Sequence, residues 1–136
     1  ASTQVHPMFE QQVQLYREIG QHSALRESQK VLMLSEEYGY PLRFYGELAG
    51  SWWPVSGDFY AEQLRTGKPP LGAAERMAAF FPGMEYFVIT NMQGFYQQPD
   101  LQEYLTSRGA QVVAQSPNYL ILDIRGITER QAQPAQ

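Results

Sequence analysis

Two short runs, "KVLMLS" at 30–35 and "EYFVITN" at 85–91, constrain the fold most. The first is apolar from Val31 to Leu34 without alternation, the pattern of a strand buried on both faces. The second, rich in β-branched and aromatic residues, carries the strongest strand signal in the chain. A sheet built on such strands needs cover on both sides, so the intervening segments must supply helices.

They do. "FEQQVQLYREIGQHSALRE" sets Phe9, Val13, Tyr16 and Ile19 on a helical period, with Gly20 read as the stop. After the first strand, Ser35 stands as an N-cap with Glu36 and Glu37 behind it, and "LRFYGEL" offers one or two helical turns. "SWWPV" reads as a short strand that Pro54 confines to an edge. "SGDFYAEQLRTG" is a helix capped by Ser56 or Asp58 and closed by Gly67. "PPLGAAERMAAFFPG" gives another, with Leu71, Ala74, Met77 and Ala78 on its inner side and Pro82-Gly83 as terminator. "QPDLQEYLTSRGA" is a helix with Pro99 in its first turn, Leu101, Tyr104 and Leu105 facing inward and Gly109 at its end. "QVVAQSPNYLILDIRG" reads as a hairpin turning at "SPN".

The expected fold is therefore α/β: a small three-layer sandwich, its sheet partly parallel with helices on both faces and an antiparallel C-terminal hairpin. Residues 31–35 and 86–91 are expected as parallel neighbours at the sheet centre. At 136 residues the chain is long enough for one core and too short for two, so residues 1–126 are read as one domain. The polar, Gln-rich stretch 127–136 is read as a disordered tail.

Composition removes several function classes. Fourteen acidic against ten basic residues, the latter scattered, exclude a phosphate-tracking surface and with it nucleic acid. The absence of cysteine excludes disulfides and thiolate metal sites. No apolar run approaches the roughly 20 residues that span a bilayer, and no signal peptide is visible, so the chain as given is expected to be soluble. It starts at Ala1, which fits an excised or processed fragment and equally fits loss of an initiator methionine.

No motif announces catalysis. "SEEYGYP" after the first strand has no phosphate-binding glycine pattern, and its two carboxylates would oppose an anion. Glu36 and Glu37 are neighbours that would point about 100° apart on a helix, where a first-turn position already explains them. His6 and His22 are isolated and expected on the surface, without metal-ligand spacing, and no serine sits on a nucleophile elbow. No cofactor or metal site is expected.

What stands out is the aromatic segment "SEEYGYPLRFYGELAGSWWP", 35–54. In an open α/β sheet, ligands collect beyond the carboxyl ends of the strands, and there this sequence displays Glu36, Glu37, Tyr38 and Tyr40 with Asn91, Met92 and Gln93. Rings beside carboxylates and amides suit a sugar or a peptide. Against that, Trp52, Trp53, Phe44 and Tyr45 are explained as closure of the sheet edge packed beneath a helix, Phe44 more readily than Tyr38. The candidate ligand-binding set is thus Glu36, Tyr38, Tyr40, Trp52, Trp53, Asn91 and Gln93.

The succession "VLMLSEEYGYPLRFYGELAGSWWP", "GDFYAEQL" and "EYFVITNMQGFYQQPDLQEYLTSRGAQVVAQSPNYLILDIRG" resembles the soluble C-terminal region of bacterial dolichyl-phosphate-mannose-type (protein mannosyltransferase-like) glycosyltransferases, over about residues 30 to 126. Those are polytopic membrane enzymes that use polyprenyl-phosphate-linked sugars. The resemblance implies an extracytoplasmic, membrane-adjacent domain, periplasmic or extracellular, attached to a transmembrane catalytic part and possessing no catalytic residue of its own. It also implies a saccharide or acceptor peptide as partner. Two other readings stay open: a free-standing small-substrate enzyme with Glu36, Asp58 and Asn91 converging, and a protein-interaction module using Trp52 and Trp53.

Overall fold

The computed structural model describes residues 7–127. Helices α1 (Pro7–Gly20) and α2 (Ser23–Arg26) precede strand β1 (Val31–Leu34). A tight turn at Glu36–Gly39 leads into α3 (Tyr40–Gly46) and β2 (Gly50–Trp52). Next come α4 (Ser56–Thr66), α5 (Ala73–Phe80), β3 (Tyr86–Ile89), α6 (Met92–Tyr96) and α7 (Pro99–Ser107), then the hairpin β4 (Gln111–Ser116) and β5 (Tyr119–Asp123).

The sheet order is β2-β1-β3-β5-β4. β1 pairs in parallel with both β2 and β3, while β5 runs antiparallel to β3 and β4. The expected α/β sandwich, the central parallel pair and the closing hairpin are all present.

Because successive strand residues face opposite ways, the two apolar runs feed two cores. Leu32, Leu34, Phe87, Ile89 and Leu122 face α5 and α7, meeting Met77, Phe81, Leu101, Tyr104 and Leu105 with Trp53 among them. Val31, Met33, Tyr86, Val88 and Ile121 face α1 and α3, meeting Tyr16, Ile19 and Leu42. All four β1 side chains are fully buried, each contributing about 1.5–3 kcal/mol of transfer free energy. That is the physical content of an apolar run without alternation.

Gly20 ends α1 as expected, and it also sits where that helix crosses α3: a Cβ on it would lie 1.9 Å from the Gly46 carbonyl oxygen. Several local expectations are corrected. Phe9 is half exposed and packs edge-on against Tyr45. The inner face of α5 is Ala73, Arg76 and Met77, with Leu71 and Ala78 exposed, because the helix begins at Ala73 and is rotated accordingly. Val55 is the N-cap of α4, and Asp58 reaches back to accept its N–H at 3.1 Å. Two short helices, α2 and α6, were not anticipated.

Phe44, expected under a helix, is 75% exposed on the outer side of α3, its ring edge-on to Tyr45. Gly50 earns its place by close approach, since a Cβ there would sit 1.7 Å from the Val31 carbonyl oxygen. Ile127, assigned to the tail, is buried in the core, so the domain includes it. The remainder of the expected tail and His6 lie outside the described residues.

Candidate functional site

β1 and β3 lie side by side with Leu34 opposite Ile89, so the next residues, Ser35 and Thr90, emerge together at the carboxyl edge. From here the chain leaves β1 for β2 on one side, whereas β3 lies on the other. This divergence makes a crevice at the edge of an open sheet. Ser35 and Thr90 are buried, and their hydroxyls are hydrogen-bonded to each other.

Glu36, half-buried, closes the cluster. Thr90 Oγ1 lies 2.9 Å from Glu36 Oε2 and 3.1 Å from Oε1, and Gln12 Nε2 donates to Oε1 at 2.8 Å. Thr90 has one hydroxyl proton. If that proton goes to the carboxylate, Ser35 must donate to Thr90, giving a directed chain from Ser35 through Thr90 to Glu36. Gln12 also donates to the Tyr16 hydroxyl at 2.7 Å. Burial, and secondarily the charge of Glu36, push the Tyr16 phenol up to about 12, so it stays protonated in the neutral range.

The backbone is bent to build this arrangement. Glu37 and Tyr38 have φ of 50° and 60° and Gly39 has 79°, three successive left-handed residues. For the two non-glycine residues this costs roughly 1–2 kcal/mol each. The turn delivers Glu36 to Thr90 and lays Tyr38 against Trp52, with ring centroids 4.9 Å apart. The Tyr38 hydroxyl reaches Asp58 at 3.4 Å.

Above the cluster opens a cleft of about 600 Å³. One wall is α1, presenting Gln11, Gln12, Gln14, Leu15 and Glu18. Glu36 and Thr90 form the floor, and Met92 with the hairpin turn Pro117–Asn118 forms the far wall. The lining carries two carboxylates, several amides and no Lys, Arg or His. Such a surface suits ligands rich in hydroxyl or other N–H and O–H donors and opposes anions. Among the described residues no group of three His, Cys, Asp or Glu is placed to hold a metal.

The sequence-selected residues divide. Glu36 is at the centre of the cluster. Tyr38 and Trp52 form an exposed pair one strand away, 49% and 36% accessible. Tyr40 is exposed, its ring 5.9 Å from the Arg43 guanidinium carbon. Trp53 leaves the candidate set: it is buried between Phe81 and Phe87, and its indole N–H donates to Gln98 Oε1 at 2.7 Å. Asn91 caps α6 by accepting the Gly94 N–H at 2.9 Å, and Gln93 is exposed beside it. Asp58 and Asn91 each serve a helix cap, and neither lines the cleft with Glu36, so the converging enzyme trio does not form there.

Sequence reasoning missed Ser35 as a cluster member, along with Thr90, Gln12, Tyr16 and Asn118. A signal for two of them existed: Ser35 and Thr90 are the first polar residues after the two central strands. Ser35 makes no side-chain cap, because its hydroxyl is committed to Thr90. The residues from α1 had no such signal. No family model, curated protein or solved structure matches the chain.

Proposed function

We propose that this chain is a non-catalytic recognition domain that takes a hydroxyl-rich ligand, such as a saccharide, in the cleft at the β1–β3 divergence. The observation that supports it is the cleft floor, where Glu36, held by Thr90 and Gln12, presents its carboxylate to a volume of sugar size.

In the wider context given by the sequence resemblance, the domain is the extracytoplasmic accessory part of a polytopic membrane glycosyltransferase. Its partners are then the transmembrane portion of the same parent protein and a saccharide or acceptor peptide. The described helices include none long and apolar enough to cross a membrane, so membrane attachment would belong to other segments of such a parent.

A heteronuclear NMR titration with mono- and oligosaccharides tests the cleft. Saturable shifts centred on Gln12, Glu36, Thr90 and Asn118, weakened by Glu36→Gln, are expected. Silence across the panel, or shifts confined to other faces, would sink the assignment. The parent is tested separately by the full gene: a reading frame without apolar spans upstream of these residues removes the membrane enzyme and leaves the cleft untouched.

A further inference from the structure

The lateral edge of the sheet at β2 presents a surface of different chemistry from the cleft. β2 is an edge strand. Its pairing with β1 uses the Ala49 carbonyl, which accepts the Val31 N–H at 3.3 Å, and the Trp53 N–H, which donates to Met33 at 2.7 Å. The alternation of a parallel ladder therefore turns the N–H and C=O of Gly50 and Trp52 away from β1, toward the open edge.

Beside that edge runs a groove of about 450 Å³ floored by Gly50, Ser51 and Trp52. Arg43 of α3 stands on it, as do Arg76 and Phe80 of α5. Its lining holds two arginines and no carboxylate, in a chain whose net charge is −4. Arg76 has only 7% of its side chain exposed. One guanidinium nitrogen pairs with Glu62 at 2.9 Å, and its Nε has no hydrogen-bond partner. Among the described residues Arg43 makes no ion pair. Trp52 and Phe80 are 36% and 59% exposed along the same groove.

We infer that this groove docks an extended acidic peptide segment, which adds to β2 as a further strand. Each feature selects one property of the occupant. The outward amides and carbonyls of Gly50 and Trp52 select an extended backbone. Arg43, on the α3 side of the sheet, selects carboxylates at alternate positions, and the exposed ring of Phe80, on the α5 side, selects an apolar side chain between them. Three residues of strand make a short ladder, so the side chains supply most of the selectivity.

The test uses a fluorescein-labelled peptide that alternates Asp with Val and Phe, its Lys-for-Asp counterpart, and a version N-methylated on the backbone amides of one edge and then the other. Anisotropy should show the acidic peptide binding and the basic one failing to bind. One of the two N-methylated forms should lose about tenfold or more in affinity, since it can no longer donate to the strand edge. Arg43→Glu, an exchange at a half-buried surface position, should lower affinity for the acidic peptide about tenfold and raise it for the basic one. Phe80→Ala should weaken binding of the acidic peptide severalfold.

Equal affinity for both N-methylated forms and the unmodified peptide would overturn strand addition. An acidic peptide indifferent to Arg43→Glu, or no binding at millimolar peptide, would overturn the surface altogether. Sedimentation showing that β2 pairs with a second copy of the chain would give the edge a different occupant and would also refute the inference. Because the N-methylation comparison changes only the peptide, it holds even if a protein variant folds poorly.

Discussion

Thr90→Val replaces a buried hydroxyl by a methyl of nearly the same shape, so its effect isolates the polar cluster. Thr90 is 8% exposed, and its oxygen contacts Ser35 and both oxygens of Glu36. Losing its proton removes one charge-assisted hydrogen bond, about 1.5–3 kcal/mol. Ser35, no longer donating to Thr90, can turn its proton to Glu36 Oε2, which it already approaches at 3.4 Å, and this recovers part of the loss. The added methyl is favourable by about 0.8 kcal/mol at most. The expected net loss is about 1–2 kcal/mol in urea unfolding followed by far-UV circular dichroism. Thr90→Ser keeps the proton and deletes a methyl, costing about 1 kcal/mol through packing alone. The decisive observable is therefore ligand-independent and local. In Thr90→Val the Glu36 side-chain carboxyl resonance should move, whereas in Thr90→Ser it should stay in place. A valine variant as stable as wild type, with that resonance unmoved, would mean that the hydroxyl does not hold the carboxylate and that the directed chain from Ser35 is wrong.

The raised Tyr16 phenol makes stability fall at high pH. Between its ordinary value near 10 and its folded value of about 12 the unfolded chain loses this proton while the native chain keeps it, so about 2–3 kcal/mol present below pH 10 disappears by pH 12. Denaturant melts across that range should show the loss, and Tyr16→Phe should flatten its share of the slope. Trp53→Phe should cost about 2–4 kcal/mol, from the Gln98 oxygen left without its donor and from the space vacated beside Phe81 and Phe87. Trp52→Phe at the exposed neighbouring position should cost under about 1 kcal/mol, and equal losses at the two positions would contradict the assignment of one to the core and the other to the surface. Gly20→Ala puts a methyl 1.9 Å from the Gly46 carbonyl oxygen, so α1 and α3 must separate; a loss of about 2 kcal/mol or more in Tm-derived stability is expected, and a neutral result would refute the close crossing.

What the sequence determined by itself is the layer structure. Leu32 and Leu34 go to one core while Val31 and Met33 go to the other, because a strand of period two with no polar residue has no face to show to water. Pro99 and Gly109 bracket α7, and the "SPN" turn forms the hairpin, because these are local preferences of single residues. Tertiary structure alone decided how two adjacent tryptophans divide, Trp53 to the core and Trp52 to the rim, since that depends on which side of β2 is covered by α5. It also decided the site. Gln12 and Tyr16 come from a helix formed before β1, and Thr90 lies 54 residues beyond Glu36, so no spacing in the chain announces their meeting. They converge because β3 docks against β1 in one register, which places Thr90 beside Ser35, and because a strained left-handed turn carries Glu36 back across both. Register and that turn are properties of the packed sheet, and the polar cluster follows from them.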